Sequence, residues 1–189
     1  MGILNKDSVR IEGKYIYLRF LEEKDAEAMT QLYLRNRDFF QTYSPTRSES
    51  YYSYERQLRT IQHGMESRKI DRAYSFGIFL RETDELVGDI DLTGVLRDAL
   101  QSCYVGYSLD QAHNGKGYTT EAVKLVVDFG FNHLNLHRIV AGVMPTNIGS
   151  LRVLEKAGFE KEGLARKNVK INGKWEDHVE LSILNPDEE

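Results

Sequence analysis

The chain has little cysteine, little proline and no surplus of positive charge. Of its 189 residues, one is cysteine and three are proline. Because Cys103 stands alone, an intramolecular disulfide is excluded, which fits a reducing compartment. The net charge of −4 argues against a protein whose main role is to bind nucleic-acid backbone, since that role needs a basic surface.

Long apolar runs are also missing. Residues 1–14 contain no apolar core of signal-peptide length, and no later run approaches the ~20 apolar residues of a membrane span. The sequence therefore predicts a cytoplasmic protein with no membrane partner. Without a low-complexity tract, an internal repeat or a proline-rich linker, residues 1–189 are expected to form one domain.

What the chain does contain is an alternation of strand-like and helix-like segments. Runs rich in β-branched and aromatic residues predict strands at 15–21, 74–80, 86–96, 102–109 and 137–144. Apolar residues three and four positions apart predict helices after residue 21, from about 54 to 64, after 117, and from near 147 to 158. Asn172-Gly173 predicts a closing hairpin. The order indicates an α/β fold with a largely antiparallel sheet.

The segment QAHNGKGYTTEA, residues 111–122, places two glycines around Lys116 directly before a helix. Gly117 after the lysine excludes a nucleoside-triphosphate P-loop. Thr120 stands where a Rossmann fingerprint needs its third glycine. Two interpretations remain open: a plain strand-to-helix turn, or backbone N–H groups at a helix N-terminus that bind a phosphate.

Three longer segments carry a family resemblance. They are YVGYSLDQAHNGKGYTTEAVKLVVDFGF, HRIVAGVMPTNIGSLRVLEKAGF and EGLARKNVKINGKWEDHVELSIL. Together they resemble the GNAT superfamily of acetyl-CoA-dependent N-acetyltransferases, and more narrowly the branch that acetylates N-terminal amines of ribosomal proteins. The resemblance implies a GNAT-like mixed sheet with helices packed on both faces, formed by a single N-acetyltransferase domain over 1–189.

The resemblance also implies acetyl-CoA as co-substrate. Backbone groups of Tyr107, Ser108 and Leu109 would pair with the pantetheine arm. The pyrophosphate would be held by the N–H groups of Asn114, Gly115, Lys116, Gly117, Tyr118 and Thr119. The Asn147 side chain would bond to the pantetheine arm, although this residue also fits a plain helix cap. The five histidines show no metal-ligand spacing, so no metal is expected.

Acetyl transfer to an amine needs a neutral amine, a polarised carbonyl and a proton for the departing thiolate. The resemblance implies Ser150 as the proton donor, since Leu154 replaces the tyrosine acid common in the superfamily. Tyr104 stands where related enzymes often carry a glutamate. Asp89 and Asp91 share one face of a strand, and three roles remain open: a base acting through water, a binder of the ammonium group, or ordinary surface carboxylates, the default expectation.

Two further features bear on the reaction. Phe39, Phe40 and Tyr43 fit either an acceptor slot or a hydrophobic cluster that caps a helix. Cys103 is expected to be a buried packing residue, because nothing near it in sequence favours a reactive thiolate.

The predicted function is direct acetyl transfer from acetyl-CoA to a primary amine, most simply the N-terminal α-amine of a ribosomal protein. Acetylation of a small amine such as an aminoglycoside or polyamine is one alternative. A catalytically silent acyl-CoA-binding module is another. No direct nucleic-acid function is expected, and a monomer and a homodimer both fit.

Overall fold

A computed structural model describes residues 9–188. Residues 1–8, most of the segment in which the sequence predicts no signal peptide, lie outside this range. The strands within the described range are β1 (Arg10–Glu12), β2 (Ile16–Phe20), β3 (Ala73–Leu80), β4 (Leu86–Leu96), β5 (Ser102–Leu109), β6 (Arg138–Val143), β7 (Glu160–Ile171) and β8 (Lys174–Leu184). The α-helices are α1 (Ala26–Arg35), α2 (Arg37–Gln41), α3 (Tyr54–Lys69), α4 (Tyr118–Asn132) and α5 (Ile148–Ala157). In this part of the chain no helix is long and apolar enough to cross a membrane.

The strands form one sheet in the order β1-β2-β3-β4-β5-β6-β8-β7. Every paired neighbour in residues 9–188 is antiparallel except β5 and β6, which run parallel. A parallel pair needs a crossover connection, and α4 supplies it. The predicted fold class, a largely antiparallel sheet in an α/β chain, is confirmed.

Helices cover both faces of the sheet because successive side chains of a strand point to opposite sides. On the α4–α5 face, Phe76 of β3 packs edge-on against Phe129 of α4, with ring centroids 5.2 Å apart. On the α1–α3 face, Phe79 of the same strand packs with Leu32 of α1 and Ile61 of α3. Two apolar cores therefore hold the sheet between them.

One helix boundary and two short elements differ from the sequence prediction. Helix α3 continues to Lys69 and does not end near Gly64. Gly64 lies inside this helix at a close approach to β3, where an added Cβ would stand 3.2 Å from Ser75 Oγ. The short elements β1 and α2 were not predicted, since three and five residues are too few to show a hydrophobic period.

The two turns predicted from local signals are confirmed. Asn172 and Gly173 connect β7 to β8 with φ of 48° and 82°, the left-handed values that a two-residue hairpin turn requires. Gly158 ends α5 with φ of 101°, as a helix-terminating glycine does.

Candidate active site

A cleft opens where β5 and β6 separate. The two strands pair only between residues 102–104 and 138–140, although β5 continues to Leu109 and β6 to Val143. The gap beyond the last pair forms a cleft of about 680 Å³. Backbone groups facing this gap have no partner strand, so an extended, amide-containing ligand can hydrogen-bond there as a strand would.

The glycine loop closes one end of the cleft. Gly115 and Gly117 both line it, with φ of 77° and 84°, a conformation that side-chain-bearing residues rarely adopt. A Cβ added at either residue would meet no atom within 4 Å. Gly117 is the N-cap of α4, so the open space lies before unpaired N–H groups and the positive end of the helix dipole.

The start of this loop is fixed to the end of α1. Arg35 Nε lies 2.6 Å from Asp110 Oδ2, and Gln111 N donates to Asn36 Oδ1 at 2.9 Å. Asp110 also accepts from Ala112 N at 3.1 Å. Burial alone would raise the pKa of Asp110, but the Arg35 and Ala112 bonds outweigh it and the pKa is lowered. Asp110 therefore stays ionised and holds the turn in place.

Most residues predicted to bind the cofactor lie together at this cleft. Its lining includes Tyr107, Ser108, Leu109, Asn114, Gly115, Gly117, Thr119 and Asn147. Lys116 and Tyr118 are not part of that lining. The exposed Lys116 Nζ lies 6.0 Å from the Tyr118 ring centroid, and the half-buried Tyr118 ring packs 6.3 Å from Tyr15. Only their backbone groups belong to the loop.

The N-terminus of α5 borders the cleft on the α4–α5 face. Asn147 caps the helix, and its Oδ1 accepts from Ser150 N at 3.2 Å. The capping role suggested by the sequence is thus present, and Asn147 lines the cleft as well. Ser150 Oγ lies 2.8 Å from Tyr107 Oη. The hydroxyl expected to serve as an acid therefore has a phenol as its neighbour.

The carboxylates of β4 are not surface groups, and that default expectation was wrong. Asp89 is 7% exposed and Asp91 is half-buried. Tyr33 of α1 donates to Asp89 at 3.2 and 3.3 Å, which places both carboxylates on the α1–α3 face. Burial raises the pKa of Asp89 to about 8, helped by repulsion from Asp91, and burial raises the pKa of Asp91 to about 6.

Residues opposite one another in a ladder share a face, and this rule locates the space beside Asp91. Its partner on β5 is Gly106, which lines the cleft, and a Cβ there would meet no atom within 4 Å. Gly142 of β6 also lines the cleft, and a Cβ added there would lie 3.9 Å from His178 Cδ2, its nearest neighbour. The α1–α3 side of the gap thus has a floor without side chains. Asp91 lies across the ladder from this floor but, like Asp89, is not part of the cleft lining.

Tyr104 stands apart from this arrangement. It pairs with Thr93 on one side and Val140 on the other, at the point where β5 and β6 are still joined. Its side chain is 54% exposed, and it is not part of the cleft lining. The structure therefore does not bring Tyr104 to Ser150.

The aromatic residues of the α2 region do reach the cleft. Phe39, Phe40 and Tyr43 line it, which favours the slot interpretation over a simple capping cluster. Gln41 Nε2 donates to Asn172 Oδ1 at 2.7 Å, and Asn172 Nδ2 donates to Gln41 O at 3.1 Å. These bonds tie the α2 wall to the tip of the β7–β8 hairpin.

Sequence reasoning missed two basic residues. Arg152 and Lys156, one turn apart on α5, both line the cleft and would favour an anionic ligand. Their spacing of four was a readable signal for a common helix face, but only the folded chain shows what that face borders. Residues 9–188 contain no group of three or more His, Cys, Asp or Glu placed to hold a metal ion.

Comparison with known proteins agrees with this geometry. Residues 16–160 match the family described as acetyltransferase (GNAT) domain. The probable N-acetyltransferase YjcK of Bacillus subtilis (strain 168) is 56% identical over 179 residues, which cover 95% of this chain and 99% of the relative. Ribosomal-protein-S5-alanine acetyltransferase from Vibrio fischeri superposes with a TM-score of 0.90 at 32% identity, covering 96% of this chain and 99% of that one. Mycobacterium smegmatis RimJ, solved in complex with CoA-disulfide, gives 0.88 at 26% identity and covers 96% and 87%.

Proposed function

The chain belongs to the GNAT acetyltransferase family, and we propose that it transfers the acetyl group of acetyl-CoA directly to a protein's N-terminal α-amine. The proposed acceptor is an N-terminal alanine or serine of a ribosomal protein. The similar structure from Vibrio fischeri is named a ribosomal-protein-S5-alanine acetyltransferase. The observation that carries the proposal is the gap between β5 and β6, which has a glycine loop at one end and the buried Asp89 and half-buried Asp91 on its α1–α3 side.

The cofactor half of the gap suits acetyl-CoA. The free edge of β5 from Tyr107 to Leu109 offers backbone N–H and C=O groups. The amides of a pantetheine arm can hydrogen-bond to these groups as a neighbouring strand would. The loop around Gly115 and Gly117 offers N–H groups to the pyrophosphate, and Arg152 and Lys156 add positive charge nearby. The CoA-disulfide complex of Mycobacterium smegmatis RimJ supports the same class of ligand.

The acceptor half suits an amine. An N-terminal α-amine has an ordinary pKa of about 7.7–8.0, so much of it is protonated at neutral pH and must lose that proton before it attacks. Asp91 lies beside the open floor at Gly106. Its carboxylate attracts the ammonium group and takes up the proton, directly or through water. No strong base is needed, because the amine itself is only weakly basic.

The entrance favours a chain end over a side chain. The bonds between Gln41 and Asn172 join the α2 wall to the hairpin, and we propose that this connection narrows the approach so that an acceptor enters with its terminus first. Phe39, Phe40 and Tyr43 then contact its first residues. A lysine within a folded protein carries chain on both sides, and that chain would also have to fit beside the Gln41–Asn172 contact.

The transfer is direct. Cys103, the only cysteine, is 1% exposed and burial raises the pKa of its thiol to about 12. It is also absent from the cleft lining. A protonated, enclosed thiol cannot serve as a nucleophile, so the acceptor nitrogen attacks the thioester itself.

The test is a panel of acceptors with acetyl-CoA, read by thiol release and by mass spectrometry of the modified atom. The panel contains a peptide with the N-terminal sequence of ribosomal protein S5, the same peptide with a blocked N-terminus and an internal lysine, and a polyamine and an aminoglycoside. We expect acetylation of the free α-amine only. Turnover confined to the small amines would contradict the proposed acceptor, and absence of turnover with any amine would contradict the proposed reaction.

A further inference from the structure

The hydroxyls of Tyr107 and Ser150 form a pair inside the cleft. Tyr107 Oη lies 2.8 Å from Ser150 Oγ and 3.4 Å from the Ser150 backbone oxygen. Tyr107 extends from β5 and Ser150 from the first turn of α5, and both line the cleft. The bond therefore joins sheet and helix at the split where the thioester lies in the proposed reaction.

Helix α5 offers no second hydroxyl. Among its ten residues, Ile148–Ala157, Ser150 alone carries an O–H group, and Leu154, one turn further on, is fully buried among apolar residues. A serine hydroxyl is a far weaker acid than a thiol, whose ordinary pKa is about 8.5. Ser150 by itself would give up a proton only at a high free-energy cost. A serine that receives a proton while donating one avoids that cost, because its oxygen never carries a full negative charge.

We infer that Tyr107 and Ser150 act together as a two-step proton relay to the sulfur of the departing CoA. The inference rests on the proposed acetyl transfer. As the acceptor nitrogen bonds to the acetyl carbon, the electron pair of the C–S bond moves to sulfur. Ser150 Oγ gives its proton to sulfur and takes the proton of Tyr107 Oη. The proton released by the amine passes to solvent and solvent returns one to Tyr107, so protons and charges balance.

The acidities in this part of the fold agree with the relay. Burial raises the pKa of Tyr107 to about 12, and the bond with Ser150 opposes that rise. The phenol therefore holds its proton at neutral pH. Enclosure in the cleft would also raise the pKa of the CoA thiol, and a donor and acceptor of similar pKa exchange a proton most readily.

The first test needs neither acceptor nor turnover. The pKa of the CoA thiol is measured in the binary complex by ultraviolet titration of its thiolate. Hydrogen bonds to a thiolate lower its pKa, so Ser150→Ala and Tyr107→Phe should each raise the pKa of the bound thiol, by about one unit. Tyr54→Phe, which removes a tyrosine hydroxyl from the exposed start of α3, should leave it unchanged. A purely structural Tyr107 would also leave it unchanged, and that result overturns the relay.

The second test asks whether the two hydroxyls act as one unit. With a good peptide acceptor, Ser150→Ala should lower kcat by about 10–100-fold and Tyr107→Phe by about 10-fold, with little change in the KM for acetyl-CoA. The double variant should match Ser150→Ala alone. Losses that multiply would show independent hydroxyls and contradict the relay. If the wild type acetylates no N-terminal peptide, that result contradicts the proposed function and not the relay. The thiol titration tests the relay separately, because it uses no acceptor.

Discussion

The phenol of Tyr33 contacts both carboxyl oxygens of Asp89, at 3.2 and 3.3 Å. This contact joins α1 to β4 across the α1–α3 face. Burial and the nearby carboxyl of Asp91 raise the pKa of Asp89 to about 8, and burial together with Asp89 raises the pKa of Tyr33 well above its ordinary value. At neutral pH Asp89 therefore holds a buried proton that the unfolded chain would release.

Asp89→Asn should change how stability depends on pH. The folded pKa of about 8 lies above the ordinary value of about 3.9, so the contribution of Asp89 is fully present below pH 4 and is lost as pH rises through 8. Asparagine cannot ionise, so the variant should gain about 4 kcal/mol relative to wild type between pH 5 and pH 9, since one pKa unit corresponds to about 1.4 kcal/mol. Urea unfolding at both pH values measures this difference.

The matched control is Asp128→Asn, at an exposed position on α4. Its stability difference from wild type should be nearly the same at both pH values. If the Asp89→Asn difference instead moved in favour of wild type at high pH, the folded protein would be stabilising the ionised carboxylate.

Asp91→Asn should remove an ionisation from the acceptor side of the reaction. Because the pKa of Asp91 is raised to about 6, wild-type kcat/KM for a peptide should fall with a log–log slope of about one below pH 8, from the amine, and about two below pH 6. The variant should lose activity by about 10–100-fold and keep the single slope throughout. A pH–rate profile with two slopes in the variant would assign the lower ionisation to another group.

Gly117→Val should abolish acetyl-CoA binding without unfolding the protein. The added side chain would project into the open space before α4, where the pyrophosphate approaches, and the residue must keep φ near 84°. Gly173→Val has a similar φ of 82° and open surroundings in the hairpin turn, and it should bind acetyl-CoA normally. Calorimetry measures affinity and circular dichroism checks the fold. Normal affinity in a folded Gly117→Val protein would remove the loop from the site.

Asn147 should contribute to cofactor binding beyond its cap. Asp and Ser also cap helices well, so Asn147→Asp and Asn147→Ser should melt near the wild-type temperature. Both lack the amide N–H donor, and both should raise the KM for acetyl-CoA. Variants with normal melting and a normal KM would show that Asn147 serves α5 alone.

Local sequence signals predicted the parts of the structure that depend on neighbouring residues. The turn at Asn172-Gly173 and the end of α5 at Gly158 follow from backbone conformations that few residues adopt. The glycine loop was found for the same reason. The motif alone left two interpretations open, a plain turn and an anion site, and the family resemblance favoured the second.

Tertiary contacts decided what the sequence left open. Asp89 looked like a surface residue because its strand alternates polar and apolar positions, and only the packing of α1 encloses it. The bond between Tyr107 and Ser150 joins residues 43 positions apart. No local pattern reports such a pair, because it exists only when β5 and α5 meet.

The fixing of the glycine loop to α1 has a consequence for the order of events in catalysis. Arg35 and Asn36 hold Asp110 and Gln111, and the chain continues directly from Asn36 into the aromatic wall of α2. If the first substrate favours one position of the glycine loop, the same free energy therefore also favours one position of the α2 wall, which contacts the second substrate. Such coupling is reciprocal. It favours a sequential kinetic scheme in which each substrate improves the affinity for the other.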